Sequence, residues 1–127
     1  MTRIDVHHHL VAPRYIPQLR EFGVLTPRLA EIMNEQSALD DMDDAGVTLA
    51  INSATLPEQL KGAARLAYSR DNNEYMARLV ADYPGRFGMF ASLPLPDVDG
   101  TLKEIEYAFN VLKADGCLLY TSPSPRD

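Results

Sequence analysis

At 127 residues, with a net charge of −6 and 46% hydrophobic residues, the sequence describes one soluble globular unit with enough apolar material for a core. The acidic balance and the lack of any Lys/Arg block argue against nucleic acid or an anionic membrane surface as partner, because both select clustered cations. No apolar run approaches bilayer-spanning length, Met1–Asp5 does not read as a secretory leader, and a single cysteine excludes a disulfide framework, so cytoplasmic residence is expected.

Taken in chain order, Thr2 to Val6 is a short run with β-branched residues and predicts a strand leading directly into His7-His8-His9. Pro13, Pro17, Gly23 and Pro27 then punctuate a loop-rich stretch, long enough to cover a site. Ser37 to Ala45 predicts a helix, with Ser37 as N-cap, Leu39, Met42 and Ala45 at helical spacing, and Gly46 as its stop. Asp40, Asp41, Asp43 and Asp44 form its solvated face. Val47 to Ala54 is apolar on both parities, as expected of a strand buried on both faces of a parallel sheet. A second helix falls within Pro57 to Tyr83, striped by Leu66, Tyr75, Met76, Leu79 and Val80 and ended by Pro84-Gly85. Phe87 to Leu93 predicts a third strand. Asp99 to Lys113 predicts a third helix, capped by Asp99 and burying Leu102, Ile105, Ala108, Phe109 and Leu112, after which Ala114-Asp115-Gly116 turns toward a fourth strand.

The β-α-β-α-β-α order argues for parallel strands and an α/β architecture. Periodicity does not separate a barrel from an open doubly wound sheet. The absence of a glycine-rich phosphate loop after the first strand argues against a dinucleotide site.

Successive strand residues point to opposite faces, so His7 and His9 share a side while His8 points away to pack or be solvated. In a barrel these imidazoles lie at the C-terminal strand ends, where barrel enzymes place their sites. Two neutral imidazoles there can hold a divalent ion, at about 2.0–2.1 Å if it is zinc. Asp5, on the same parity, either orients an imidazole or stabilises the strand end. His-x-His alone is a weak signal, equally open to a tag remnant or surface histidines. The run is too short for a purification tag, however, and it follows a strand rather than a linker. Arg14 and Arg28 in the long loop are expected to be surface charges, with a substrate carboxylate as the alternative. Ser53, at the end of the second strand, has no base paired with it in the sequence, so no serine nucleophile is expected.

Ile4-Asp5-Val6-His7-His8-His9-Leu10 resembles the first-strand motif of the amidohydrolase superfamily, within the amidohydrolase-related group that includes aminocarboxymuconate-semialdehyde decarboxylase. Leu39 to Val47 is similar to that group's first helix and the entry to its second strand. Asn73-Glu74-Tyr75 with Tyr83 to Gly88 resembles its second helix and third strand, and Leu93-Pro94-Leu95-Pro96-Asp97 the loop that follows. The resemblance covers nearly all of residues 1–116. It implies a TIM (β/α)₈ barrel, of which this chain holds about three and a half βα units. It also implies one divalent metal, zinc or in some members manganese, bound by His7 and His9. Further histidines near strands five and six and an aspartate near strand eight are implied too, but all three histidines of this chain lie at positions 7 to 9. No catalytic residue beyond the metal pair is therefore visible, and the fragment itself is expected to be inactive. Family members are often homodimers, and for the intact protein the resemblance implies non-oxidative decarboxylation of an aromatic or unsaturated carboxylic acid. Hydrolysis of an ester, lactone or amide with the same metal is the alternative. A non-catalytic α/β module is a further reading, disfavoured because it leaves strand edges open.

Cys117 to Asp127 reads differently from the rest. It resembles the translation of a transposon-based sequencing-library adaptor, so native sequence is expected to run to about Gly116, and Cys117 is not read as a ligand or nucleophile.

Overall fold

The computed structural model describes residues 2–119. Four strands, β1 (Ile4–His8), β2 (Leu49–Asn52), β3 (Phe87–Ser92) and β4 (Gly116–Leu118), run parallel and are hydrogen-bonded in chain order. Helices make each crossover: α3 (Glu35–Ala45) joins β1 to β2, α4 (Gly62–Asp82) joins β2 to β3, and α5 (Val98–Asn110) joins β3 to β4. The long β1–α3 connection is not a plain loop. It holds a 3₁₀ turn (Pro13–Tyr15) and two short helices, α1 (Ile16–Glu21) and α2 (Pro27–Ile32). Pro13, Pro17 and Pro27, expected to break structure, instead begin it, since proline's fixed φ and missing N–H suit a helix's first turn. Thr26 caps α2 by accepting the Leu29 N–H at 3.2 Å.

Strand β1 lies later than Thr2–Val6 and ends inside the histidine run. Its pairing explains why: Asp5 lies opposite Ala50 and His8 opposite Asn52, so β1 spends three steps where β2 spends two. The extra residue is a bulge, which re-aims the side chains around it. Asp5 Oδ1 accepts the His7 N–H at 2.9 Å, giving that amide a partner at the irregularity.

Two caps also differ from expectation. Asn34, not Ser37, caps α3 by accepting the Ser37 N–H at 2.9 Å. Asp97, not Asp99, caps α5 by accepting the Gly100 N–H at 2.8 Å. In each case the residue three positions ahead of a helical N–H makes the bond. Gly46 ends α3 at φ 68°, a left-handed conformation that glycine adopts without strain.

Register partners share a sheet face. Ala50 and Phe87 are paired and buried under the helices with Leu10, Met42 and Leu79. The opposite face carries Ile4 opposite Leu49, then Ile51 opposite Gly88, and Phe90 opposite Gly116. That face is open, with Ile4 56% exposed. The sequence reading of β2 as buried on both faces is thus corrected: within residues 2–119 the helix layer covers one side only. Helix α5 is corrected as well. It buries Thr101, Glu104 and Ala108, while Leu102 is 60% and Phe109 40% exposed. Of the adaptor-like stretch 117–127, Cys117 and Leu118 close β4, and residues 120–127 lie outside the described residues.

Gly88 sits where a side chain has no room. A Cβ there would lie 2.8 Å from Asp115 Oδ2 and 3.4 Å from Ile51 Cγ1. The Asp115 carboxylate is itself committed, accepting the Met89 N–H at 3.0 Å. Gly88→Ala is expected to destabilise the fold by about 1–3 kcal/mol, read as a lower urea midpoint.

Burial pushes the Tyr75 phenol well above its ordinary range, and its hydrogen bond to Glu35 Oε2 at 3.0 Å adds to the shift. The folded state therefore favours the neutral phenol. That stability is fully present below the unfolded value of about 10 and is lost as pH rises toward the higher folded value. Tyr75→Phe is expected to flatten the alkaline decline in stability, measured by denaturation from about pH 8 to about pH 11.

Candidate metal centre

His7 is the penultimate residue of β1 and His9 the first beyond it, at the C-terminal ends of the parallel strands. Their rings meet edge to face, with centroids 4.9 Å apart and planes at 88°. His8 turns elsewhere, its Nδ1 2.6 Å from Asn52 Oδ1. The structure thus brings His7 and His9 together and separates His8 from them.

The His9 ring is fixed from β2's end. Its Nδ1 lies 2.9 Å from the Ser53 carbonyl oxygen. A carbonyl only accepts, so Nδ1 carries the proton and Nε2 keeps its lone pair, the tautomer a metal-binding imidazole needs. Ser53 Oγ is 3.3 Å from the same Nδ1. The serine thus has an imidazole neighbour that the sequence did not reveal. That nitrogen's proton is already directed at the carbonyl, so it is no base for the hydroxyl. Asp5 binds the His7 backbone, which supports the strand-end role read for it.

Two neutral nitrogen donors suit a borderline divalent cation, and they provide part of a site that needs at least three protein ligands. Among the described residues, no group of three or more His, Cys, Asp or Glu side chains is placed to hold a metal. Arg14 is exposed and occupied by Asp71 and by the Tyr15 hydroxyl at 3.1 Å, as expected of a surface charge. Arg28 is exposed on α2.

A cavity of 390 Å³ opens beside His8 and His9, walled by Leu25, Leu29, Ile32 and Met33 from the α1–α3 segment and by Thr55 after β2. It is largely apolar, with the imidazoles at one side.

One helix holds the segments around the strand ends. From α4, the Tyr68 hydroxyl donates to the Thr55 carbonyl at 2.6 Å, and Asn72 Oδ1 accepts the Ala12 N–H at 2.8 Å. Asn73 grips β3, accepting the Ser92 N–H at 2.6 Å and donating to the Ser92 carbonyl at 2.9 Å. Its Nδ2 also reaches Glu104 Oε1 at 3.0 Å, and Arg70 holds both Glu104 oxygens, at 3.1 and 2.9 Å. Sequence reasoning assigned these residues no role, although Asn73 lies in a stretch that carries the family resemblance. Their signal was available: Asn72 falls on the same stripe as Tyr68 and Met76, where a polar residue needs a buried partner.

Several known proteins are similar to this chain in sequence or in structure. The chain is 38% identical over 134 residues to the decarboxylase yanB of Aspergillus niger, covering 95% of this chain and 35% of that protein. It is 37% identical over 133 residues to 6-methylsalicylic acid decarboxylase of Penicillium expansum, covering 95% of this chain and 39% of that one. The chain therefore spans well under half the length of these relatives. Among solved structures, it superposes on dihydroxybenzoic acid decarboxylase of Polaromonas, determined with bound manganese and the inhibitor 2-nitroresorcinol. The TM-score is 0.79 at 23% identity, over 93% of this chain and 38% of that one. That likeness identifies the fold as the leading part of a TIM barrel. With the amidohydrolase family model matching residues 4–127, the chain belongs to the amidohydrolase family.

Proposed function

We propose that the intact protein is a metal-dependent carboxy-lyase that releases carbon dioxide from an aromatic carboxylic acid without redox chemistry, and that His7 and His9 supply two of the metal's nitrogen ligands. The observation that carries this reading is the convergent imidazole pair, with His9 held by Ser53 in the tautomer that leaves Nε2 free. The decarboxylase relatives support the reaction class. Zinc is the expected ion given nitrogen donors, and manganese the alternative, because it is bound in the Polaromonas enzyme. When bound, the metal supplies a Lewis acid that polarises substrate oxygens.

This chain's share of the work is to hold and orient. The Ser53 carbonyl sets the His9 ring, and Asp5 fixes the His7 backbone. The apolar wall of Leu25, Leu29, Ile32 and Met33 offers room for a ring next to His9. The hydrolase reading would draw on the same pair, but the relatives' names favour carbon dioxide release.

The test uses the intact protein, loaded separately with zinc and with manganese and offered a panel of hydroxylated and alkylated benzoic acids. Carbon dioxide release in step with loss of the acid is the expected result. No release with either metal, alongside hydrolysis of an ester, lactone or amide panel, would sink the proposal in favour of the hydrolase.

A further inference from the structure

We infer that Asn52 and His8 form a clamp that sets the His7/His9 pair, which makes Asn52 a positioning residue of the metal centre; the inference rests on the reading of His7 and His9 as ligands. The bulge between Asp5 and His8 means that the ladder alone does not aim the two rings. Their aim needs anchors beyond the bulge, and two successive residues of β2 provide them. The Ser53 carbonyl takes His9, and the Asn52 amide oxygen takes His8, the residue between the two ligands, at 2.6 Å. An amide oxygen only accepts, so His8 also carries its proton on Nδ1. Held this way, the middle histidine stays turned from the pair, and the backbone on either side of it is fixed.

Asn52 is a poor residue for the fold itself. It is 0% exposed, its register partner on β3 is the buried Met89, and its Nδ2 finds no hydrogen-bond partner among the described residues. Burying an amide with its donor unmatched weakens a core, and a leucine of similar size would avoid that loss. Among the described residues, the one bond Asn52 makes through its side chain goes to His8. Its presence is explained by what it holds.

A purely structural role and a positioning role predict different patterns. In the intact protein, Asn52→Leu is expected to melt at or above the wild-type temperature while binding zinc 10–100-fold more weakly, measured by competition with a chelator; losses of that size follow removal of an outer partner of a metal ligand. His8→Phe, which keeps a ring and leaves Asn52 in place, is expected to lose a similar factor, and the double variant to be no worse than either single one. Wild-type zinc affinity in Asn52→Leu, or zinc affinity and melting temperature falling together, overturns the clamp. So do additive losses in the double variant. Should Asn52→Leu fail to fold, unchanged affinity in His8→Phe overturns it alone. A wild-type protein that takes up neither zinc nor manganese overturns the ligand reading as well. Zinc binding that is lost in His9→Ala and kept in Asn52→Leu overturns only the clamp.

Discussion

Replacing His9 with alanine in the intact protein is expected to weaken metal binding by more than about 100-fold, beyond the range for losing an outer partner, and to abolish carbon dioxide release. Among the described residues no neighbour can stand in. His8 faces the other way and is tied to Asn52, while the Ser53 carbonyl that held the lost ring is only a weak oxygen donor. His7→Ala should behave alike, since the two rings converge at 4.9 Å. Metal content after gel filtration, read beside the rate of carbon dioxide release, checks both. A His9→Ala protein that keeps its metal and its rate would remove the pair from the mechanism.

Asn73→Ala should be the most damaging single truncation of the fold. Asn73 and Ser92 are both buried, and the side chain satisfies both the N–H and the carbonyl of Ser92. It also donates to the buried Glu104 carboxylate, which then depends on Arg70 alone. At about 1–3 kcal/mol per orphaned group, a loss of about 3–5 kcal/mol is expected, a large share of a stability of about 5–15 kcal/mol. Asn72→Ala, which orphans the Ala12 N–H and removes the amide that donates to the Tyr68 carbonyl, should cost less. Urea unfolding of the two variants side by side checks the order, and Asn72→Ala proving the worse of the two would refute it.

The parallel α/β order was legible because each strand and each long helix carries its own apolar pattern and its own stop, as at Gly46. What the sequence hid came from interactions between elements. Leu102 and Phe109 look like the buried side of α5, yet Thr101 and Glu104 take that place, because Arg70 and Asn73 on α4 supply the partners that let a carboxylate be buried. A charged residue reads as surface until its partner is known. The cap of α5 was misplaced because both Asp97 and Asp99 suit the role, and only the Gly100 N–H decides between them. At the site, strand alternation led to the pairing of His7 with His9 and the separation of His8, although a bulge interrupts that alternation just before the pair. The bulge, the Ser53 carbonyl and the Asn52 amide were out of reach, because strand register is a tertiary property.

Helix α4 ties Thr55, Ala12 and Ser92, each from a segment around a different strand's end, through Tyr68, Asn72 and Asn73, which span little more than one turn. These segments cannot loosen one at a time without breaking a bond to the same stretch of helix. The Ala12 and Ser92 amides should therefore exchange with solvent deuterium through a shared opening, as members of one cooperative unit. A small molecule that orders any one of these segments would lower the entropic cost of ordering the other two, so the rim would respond to occupancy as a whole.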